Sequence, residues 1–179
     1  MEEKAQIREE LSLEKITVPA VAIGHRIETQ FRLEKWRGKV EGGPYEVREF
    51  EGNVALNEGL NELWNLAAGA TSPVLPYNAT NARIGVGNDN TAAVATQTGL
   101  IGTTAFAAMM ATFPTYGTSQ QIVFKSEFAV GDANFEWKEV TVDNGNTRNM
   151  NLFRKVPSPS LGTKTNTEIW RLQVTLTLT

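Results

Sequence analysis

Apolar and polar residues alternate along most of this chain, and the period of that alternation changes once. From Arg26 onward, Ile27, Thr29, Phe31 and Leu33 alternate with Arg26, Glu28, Gln30, Arg32 and Glu34. A period of two predicts a half-buried strand. Gly38 and Gly42-Gly43-Pro44 punctuate the chain, and Val40, Tyr45, Val47 and Phe50 around them predict a short strand pair. The period then lengthens, with Leu56, Leu60, Leu63, Trp64 and Ala67 recurring at helical spacing. This predicts a helix over 57–68, with Asn57 capping its start and Gly69 taking the left-handed conformation that ends it. A lone short helix with one apolar stripe needs a sheet to lie on, so Trp64 is expected in the core.

The stretch Asn81–Leu100 is where the pattern turns over. An apolar strand, Ala82–Val86, runs into Gly87 and Asn88-Asp89-Asn90, and a Thr/Ala-rich segment leads on to Leu100-Ile101. The Asx cluster reads as a turn closed by side-chain-to-backbone bonds, and Gly85 and Gly87 as close approaches or positive-φ positions. Phe106, Met109, Met110 and Phe113, stopped by Pro114, fit either a short helix or an irregular strand. Ile122, Phe124 and Phe128 give a strand. In the next segment Phe135, Trp137, Glu139 and Thr141 oppose Glu136, Lys138, Val140 and Val142. Asp143-Asn144-Gly145-Asn146 carries the strongest hairpin dipeptide, with Met150 and Leu152 on the return strand. Val156–Gly162, rich in proline and serine, is a loop tip. Trp170, Leu172, Val174, Leu176 and Leu178 face one way in the cleanest strand of all, against Arg171, Gln173, Thr175, Thr177 and Thr179. Many short antiparallel strands with one packed α-helix predict a mainly β chain, an antiparallel β-sandwich or jelly-roll-like body over 25–179.

Residues 1–24 differ from this body. The first fifteen are dense in charge, with Ile7, Leu11 and Leu13 as sparse apolar positions, too little apolar area for a self-supporting helix. Ile16–Ile23 is β-rich but broken by Pro19. The segment reads as an extended N-terminal arm that orders against something else, or as a frayed terminus. Its start carries both signs of charge and lacks an apolar core, unlike a signal peptide.

The 179 residues suffice for one domain with a real core, and 41% apolar against 21% charged residues excludes broad disorder. A net charge of −3 argues against a nucleic-acid partner, and no apolar run is long enough to span a membrane. With no cysteine and one histidine, His25, neither a disulfide framework nor a usual zinc site is available.

Motifs that carry chemistry do not assemble. Gly85-Val-Gly87 lacks the third glycine and helix of a dinucleotide site, and no Gly-Lys-Ser/Thr follows. Asn88-Asp89-Asn90 has calcium-type oxygens but no later glutamate at the needed spacing, and reads as a turn. Alternation puts Glu49 and Glu51 on one solvated face with Glu46 nearby, which is not a glycosidase pair. His25 has no acidic or hydroxyl neighbour in sequence. No catalytic residue, cofactor or metal is expected, and a β-sandwich hydrolase or lectin ranks last among the readings.

Several phrases in order resemble a family of tailed-bacteriophage virion proteins: Gly52–Trp64 (Gly-Asn-Val-Ala-Leu-Asn-Glu-Gly-Leu-Asn-Glu-Leu-Trp), Asn81–Gly87, Phe113–Gly117, Ala133–Glu139 and Leu161–Trp170. The resemblance covers about residues 36–179. It implies a non-enzymatic structural protein, chiefly a capsid decoration (cement) protein bound outside the major capsid lattice. The alternative it implies is a fibre or receptor-binding β module. As cement the chain would be made in the host cytoplasm, reside on the virion, contact the major capsid protein and form a homo-oligomer, with a trimer favoured. Interface positions expected on that reading are Ile7, Leu11, Leu13 and Val18 in the arm, and Val94 and Gln97 in the body. Residues 70–121 carry only Arg83 and Asp89 as charges, which suits a surface that is desolvated on contact.

Overall fold

The computed structural model describes residues 26–179. In chain order the elements are β1 (Ile27–Arg37), β2 (Glu46–Glu51), β3 (Val54–Ala55), α1 (Asn57–Ala67), β4 (Arg83–Gly87), β5 (Thr104–Ala108) and β6 (Thr115–Thr118). They continue with β7 (Gln121–Phe128), β8 (Glu136–Trp137), β9 (Glu139–Asp143), β10 (Phe153–Arg154), β11 (Gly162–Thr163) and β12 (Glu168–Leu178). A five-stranded sheet in the order β2-β1-β12-β7-β6 faces a three-stranded sheet in the order β5-β4-β9. Two short ribbons, β10-β3 and β11-β8, trim the rim. All these pairings are antiparallel, and the expected antiparallel β-sandwich is what forms.

The large sheet follows the alternation of its sequence. Phe31 and Leu33 of β1, Trp170, Leu172 and Val174 of β12, and Phe124 and Phe128 of β7 are buried on one face. They pack into a single core cluster with Ile84 and Val86 of β4, Trp137 of β8, and Val140 and Val142 of β9. Trp137 sits edge-on to both Phe128 and Trp170, with ring centroids 4.7 Å apart in each case. The opposite face of the sheet is a charge ladder. Arg32 bridges Glu34 and Glu49, Lys125 reaches Glu34, and Arg171 reaches Glu127. Glu49 therefore stands on a solvated face, as the alternation predicts. β12 lies at the centre of the sheet, hydrogen-bonded to β1 on one side and β7 on the other.

Of the two readings open for the segment around Phe106, the strand forms, as β5. Three local expectations are corrected. Where a strand pair was expected over 40–50, one strand, β2, forms. The alternation over 135–142 breaks at Lys138: Trp137 and Val140 both enter the core, and every residue of β9 is buried. β9 is covered on both faces, so it does not show a half-buried period. Asn144-Gly145 is not a two-residue hairpin. The chain loops from Asp143 to Asn151 before the strands bridge again, and Asn144 is fully buried inside that loop.

The helix forms where expected and is rotated from expectation. Leu56, not Asn57, is the N-cap residue, with no side-chain cap. At the other end Gly69 has φ +74°, with Gly69 N–H bonded to Leu66 O and Ala70 N–H to Asn65 O. That is the pairing of a Schellman stop. The inward face carries Leu56, Gly59, Glu62 and the half-buried Leu66. Trp64, expected in the core, is 73% exposed. The reason is Glu62: its buried carboxylate anchors the helix, and a residue two positions on lies about 200° round the axis. Gly59 permits the contact, because a Cβ there would run into Asn151 O and Leu152 Cα. Among the described residues no helix is long and apolar enough to cross a membrane.

Candidate interaction surface

Two buried ion clusters fix the loops that form one side of the sandwich. The first centres on Arg154 and Glu139, both without exposed side-chain surface. Arg154 Nε donates to Glu139 Oε2 at 2.7 Å, Nη2 to Asp89 Oδ1 at 3.2 Å, and Nη1 to Thr91 O at 2.6 Å and Gln97 Oε1 at 3.3 Å. Glu139 also accepts the backbone N–H of Ile101 at 3.1 Å and of Gly102 at 2.9 Å. The loop from Asn88 to Thr103 is thereby clamped at both ends onto β9. Asn88 Oδ1 adds a bond from Thr103 N–H at 2.8 Å, and Asp89 Oδ1 accepts from Thr91 N–H at 2.8 Å, the Asx turn expected there. Gly87 makes room for this cluster, since a Cβ at that position would collide with the Glu139 carboxylate. Gly85 similarly lies under the Phe106 ring. Neither glycine has a positive φ; close approach is what both positions require.

The second cluster ties α1 to the 144–150 loop. Glu62 accepts from Arg148 Nη2 at 2.9 Å and Nε at 3.0 Å, from Asn144 Nδ2 at 3.0 Å and from Leu75 N–H at 3.2 Å. The Arg148 guanidinium, followed by the Leu75 N–H, outweighs burial and holds the Glu62 carboxyl below the usual carboxylate range. One turn earlier, Glu58 Oε1 accepts from the Asn151 side chain at 2.9 Å and its backbone N–H at 3.0 Å. The Thr91 N–H, with Arg154 behind it, likewise lowers the Asp89 carboxyl. Each of these carboxylates is held by structural partners within the chain. Among the described residues no three His, Asp or Glu side chains converge as metal ligands.

The exposed charges beside Asn90, those of Glu136 and Lys138, pair with each other. Over residues 70–121 the two charges are both internally neutralised: Arg83 forks onto Asp143 and stacks over Phe106, and Asp89 meets Arg154. Beyond Asp89 in the chain stand exposed apolar side chains: Val94 at 50%, Ile101 at 49% and Tyr116 at 74%. β5 and β6 are the outer strands of their sheets on this side. The link between them crosses from one sheet to the other, bridged by Met109 to Ser126 and by Met110 N–H to Lys125 O.

Of the positions expected at an interface, Val94 is exposed at the tip of the clamped loop. Gln97 is half-buried and bonded within the loop, accepting from Val94 N–H at 3.0 Å and donating to Ala92 O at 3.3 Å, besides its contact with Arg154. Ile7, Leu11, Leu13, Val18 and His25 lie outside the described residues. Sequence reasoning passed over Ile101 and Tyr116. Tyr116 carried a readable signal: it is flanked by Thr115 and Gly117 in a segment without a second apolar residue at strand spacing, so no core face was available to it. Comparison with protein-family models, with curated proteins and with solved structures finds no match for this chain.

Proposed function

We propose that this chain is a non-enzymatic structural protein of a tailed-bacteriophage particle, a decoration protein that sits on the outside of the major capsid lattice and stabilises the head. The observation that carries the reading is the side of the sandwich from Asn88 to Thr118. It exposes Val94 and Ile101 on the ion-clamped 88–103 loop and Tyr116 on β6, and its one charge, Asp89, is neutralised by Arg154. A lattice-binding protein gains from such a surface because no unpaired charge has to be stripped of water on docking. Large aromatic side chains on a fixed backbone also anchor interfaces at low entropic cost. The resemblance of the phrases spanning about 36–179 supports the particle assignment. A homo-oligomer, with a trimer favoured, and contact with the major capsid protein belong to the same proposal.

The test is co-sedimentation with emptied capsids, with copies counted per particle. Hundreds of copies are expected for a decoration protein, and a dozen or fewer would support the fibre alternative and overturn this one. Ile101→Lys and Tyr116→Lys should melt within a degree or two of the parent and yet fail to sediment with capsids. Equal binding by both lysine variants would remove the surface from consideration.

A further inference from the structure

The sandwich is open at one end. Ile27 and Leu178 are register partners on the core-facing side of β1 and β12, in line with Phe31 and with Leu172 and Val174. They are nevertheless 39% and 52% exposed, and Leu63 of α1 opposite them is 36% exposed. Among the described residues nothing covers these core-type positions. Together with Tyr77, Ile122 and Leu176 they line an apolar groove of about 190 Å³ between the helix and the end of the large sheet. A smaller hollow of about 20 Å³ continues past Leu63 towards Leu60 and Ala55.

We propose that residues Ile16–Ile23 of the same chain fill this groove and close the core. Three observations point to that occupant. Twenty-five residues precede the described part, and they join it at this end: Arg26 N–H donates to Thr179 O at 2.8 Å and Thr179 N–H to Arg26 O at 2.9 Å, directly beside Ile27 and Leu178. The segment Ile16-Thr-Val-Pro-Ala-Val-Ala-Ile23 is uncharged and apolar but for Thr17, in contrast to the charge-dense residues before it. Its tether is short, only Gly24-His25-Arg26, and Gly24 can adopt the conformations a reversal needs. A tether of this length sets an effective concentration in the millimolar range or above. A segment from a second copy would have to pay translational and rotational entropy for the same contacts. Pro19 suits an extended segment that does not continue the ladder. The inference is independent of any capsid partner, and its test involves none.

The chain has no cysteine, so engineered pairs report without background. Full-length Val18→Cys/Leu178→Cys, Val18→Cys/Leu63→Cys and Val21→Cys/Leu63→Cys are oxidised at several protein concentrations and separated without reductant. At least one pair should form a disulfide within the chain, in a yield independent of concentration, as its geometry demands Cα atoms within about 7 Å. Hydrogen exchange on the parent should show amides of residues 16–23 protected at least tenfold, and Val18→Asp should abolish that protection. Disulfides only between chains, rising with concentration, would show the groove to be filled by a second copy and overturn the proposal. Absence of any disulfide together with unprotected amides in 16–23 would overturn it as well.

Discussion

Replacing Arg154 by methionine tests whether the Arg154–Glu139 pair holds the 88–103 loop. Arg154 has no exposed side-chain surface and spreads its donors over Glu139, Asp89, Thr91 and Gln97. Methionine keeps much of the length and removes the charge. Glu139 is then left in the interior with the backbone N–H groups of Asp89, Ile101 and Gly102 and with the Asp89 carboxylate as a like-charged neighbour. Removing one partner of a buried pair in this way costs about 3–5 kcal/mol, because the other charge stays desolvated and unpaired. For a chain of this size that corresponds to a fall in Tm of roughly 6–20 °C. Replacing both partners, Arg154→Met with Glu139→Leu, should recover a large part of the loss, since an apolar pair of similar volume carries no desolvation penalty. Urea titrations of parent, both single variants and the double variant close a thermodynamic cycle, with the midpoint reporting stability and a constant slope certifying the same denatured state. Amide exchange at Asp89, Ile101 and Gly102, whose N–H groups bind Glu139, localises the effect. A loss below about 1 kcal/mol for Arg154→Met, or additive single variants, would refute the reasoning.

Trp64→Ala should change stability by no more than about 0.5 kcal/mol, the range for an exposed position, as thermal melts will show. Gly59→Ala should destabilise by about 1–3 kcal/mol despite the better helix propensity of alanine, because the new methyl meets the backbone of Asn151 and Leu152. Stability should fall with acid. Glu62 is held below its ordinary value of 4.5, so its contribution is complete above that pH and is lost as pH drops through the lower folded value. Glu62→Gln should flatten that part of a urea-midpoint profile measured from pH 6 to pH 3.

The large sheet was legible because burial on a single face imprints its period on the sequence: β1 and β12 can be drawn from Phe31-Leu33 and Trp170-Leu172-Val174 alone. The small sheet was not, because β9 is covered on both sides and Glu139, Thr141 and Asp143 are as buried as Val140 and Val142. An apolar code cannot announce a face that is filled by ion pairs. The same cause misplaced Trp64. A helical stripe scored on leucines and tryptophan overlooks a face whose anchor is the carboxylate of Glu62 and whose closest contact is Gly59. The uncharged span 70–121 was visible in composition, but the partners that silence Arg83 and Asp89 stand some sixty residues further on, beyond any local pattern.

The pairing of Arg26 with Thr179 also sets how the sandwich bears a load. β1 and β12 run antiparallel, and this pair is the outermost rung of their ladder. A pull applied at Arg26 against Thr179 meets these hydrogen bonds one after another and peels the sheet open like a zip. The same tension applied across β12 at its Glu168 end, against the β1 terminus at Ile27, loads every rung at once in shear. A load borne between Arg26 and Thr179 therefore meets the least resistance this sheet can offer, one rung at a time.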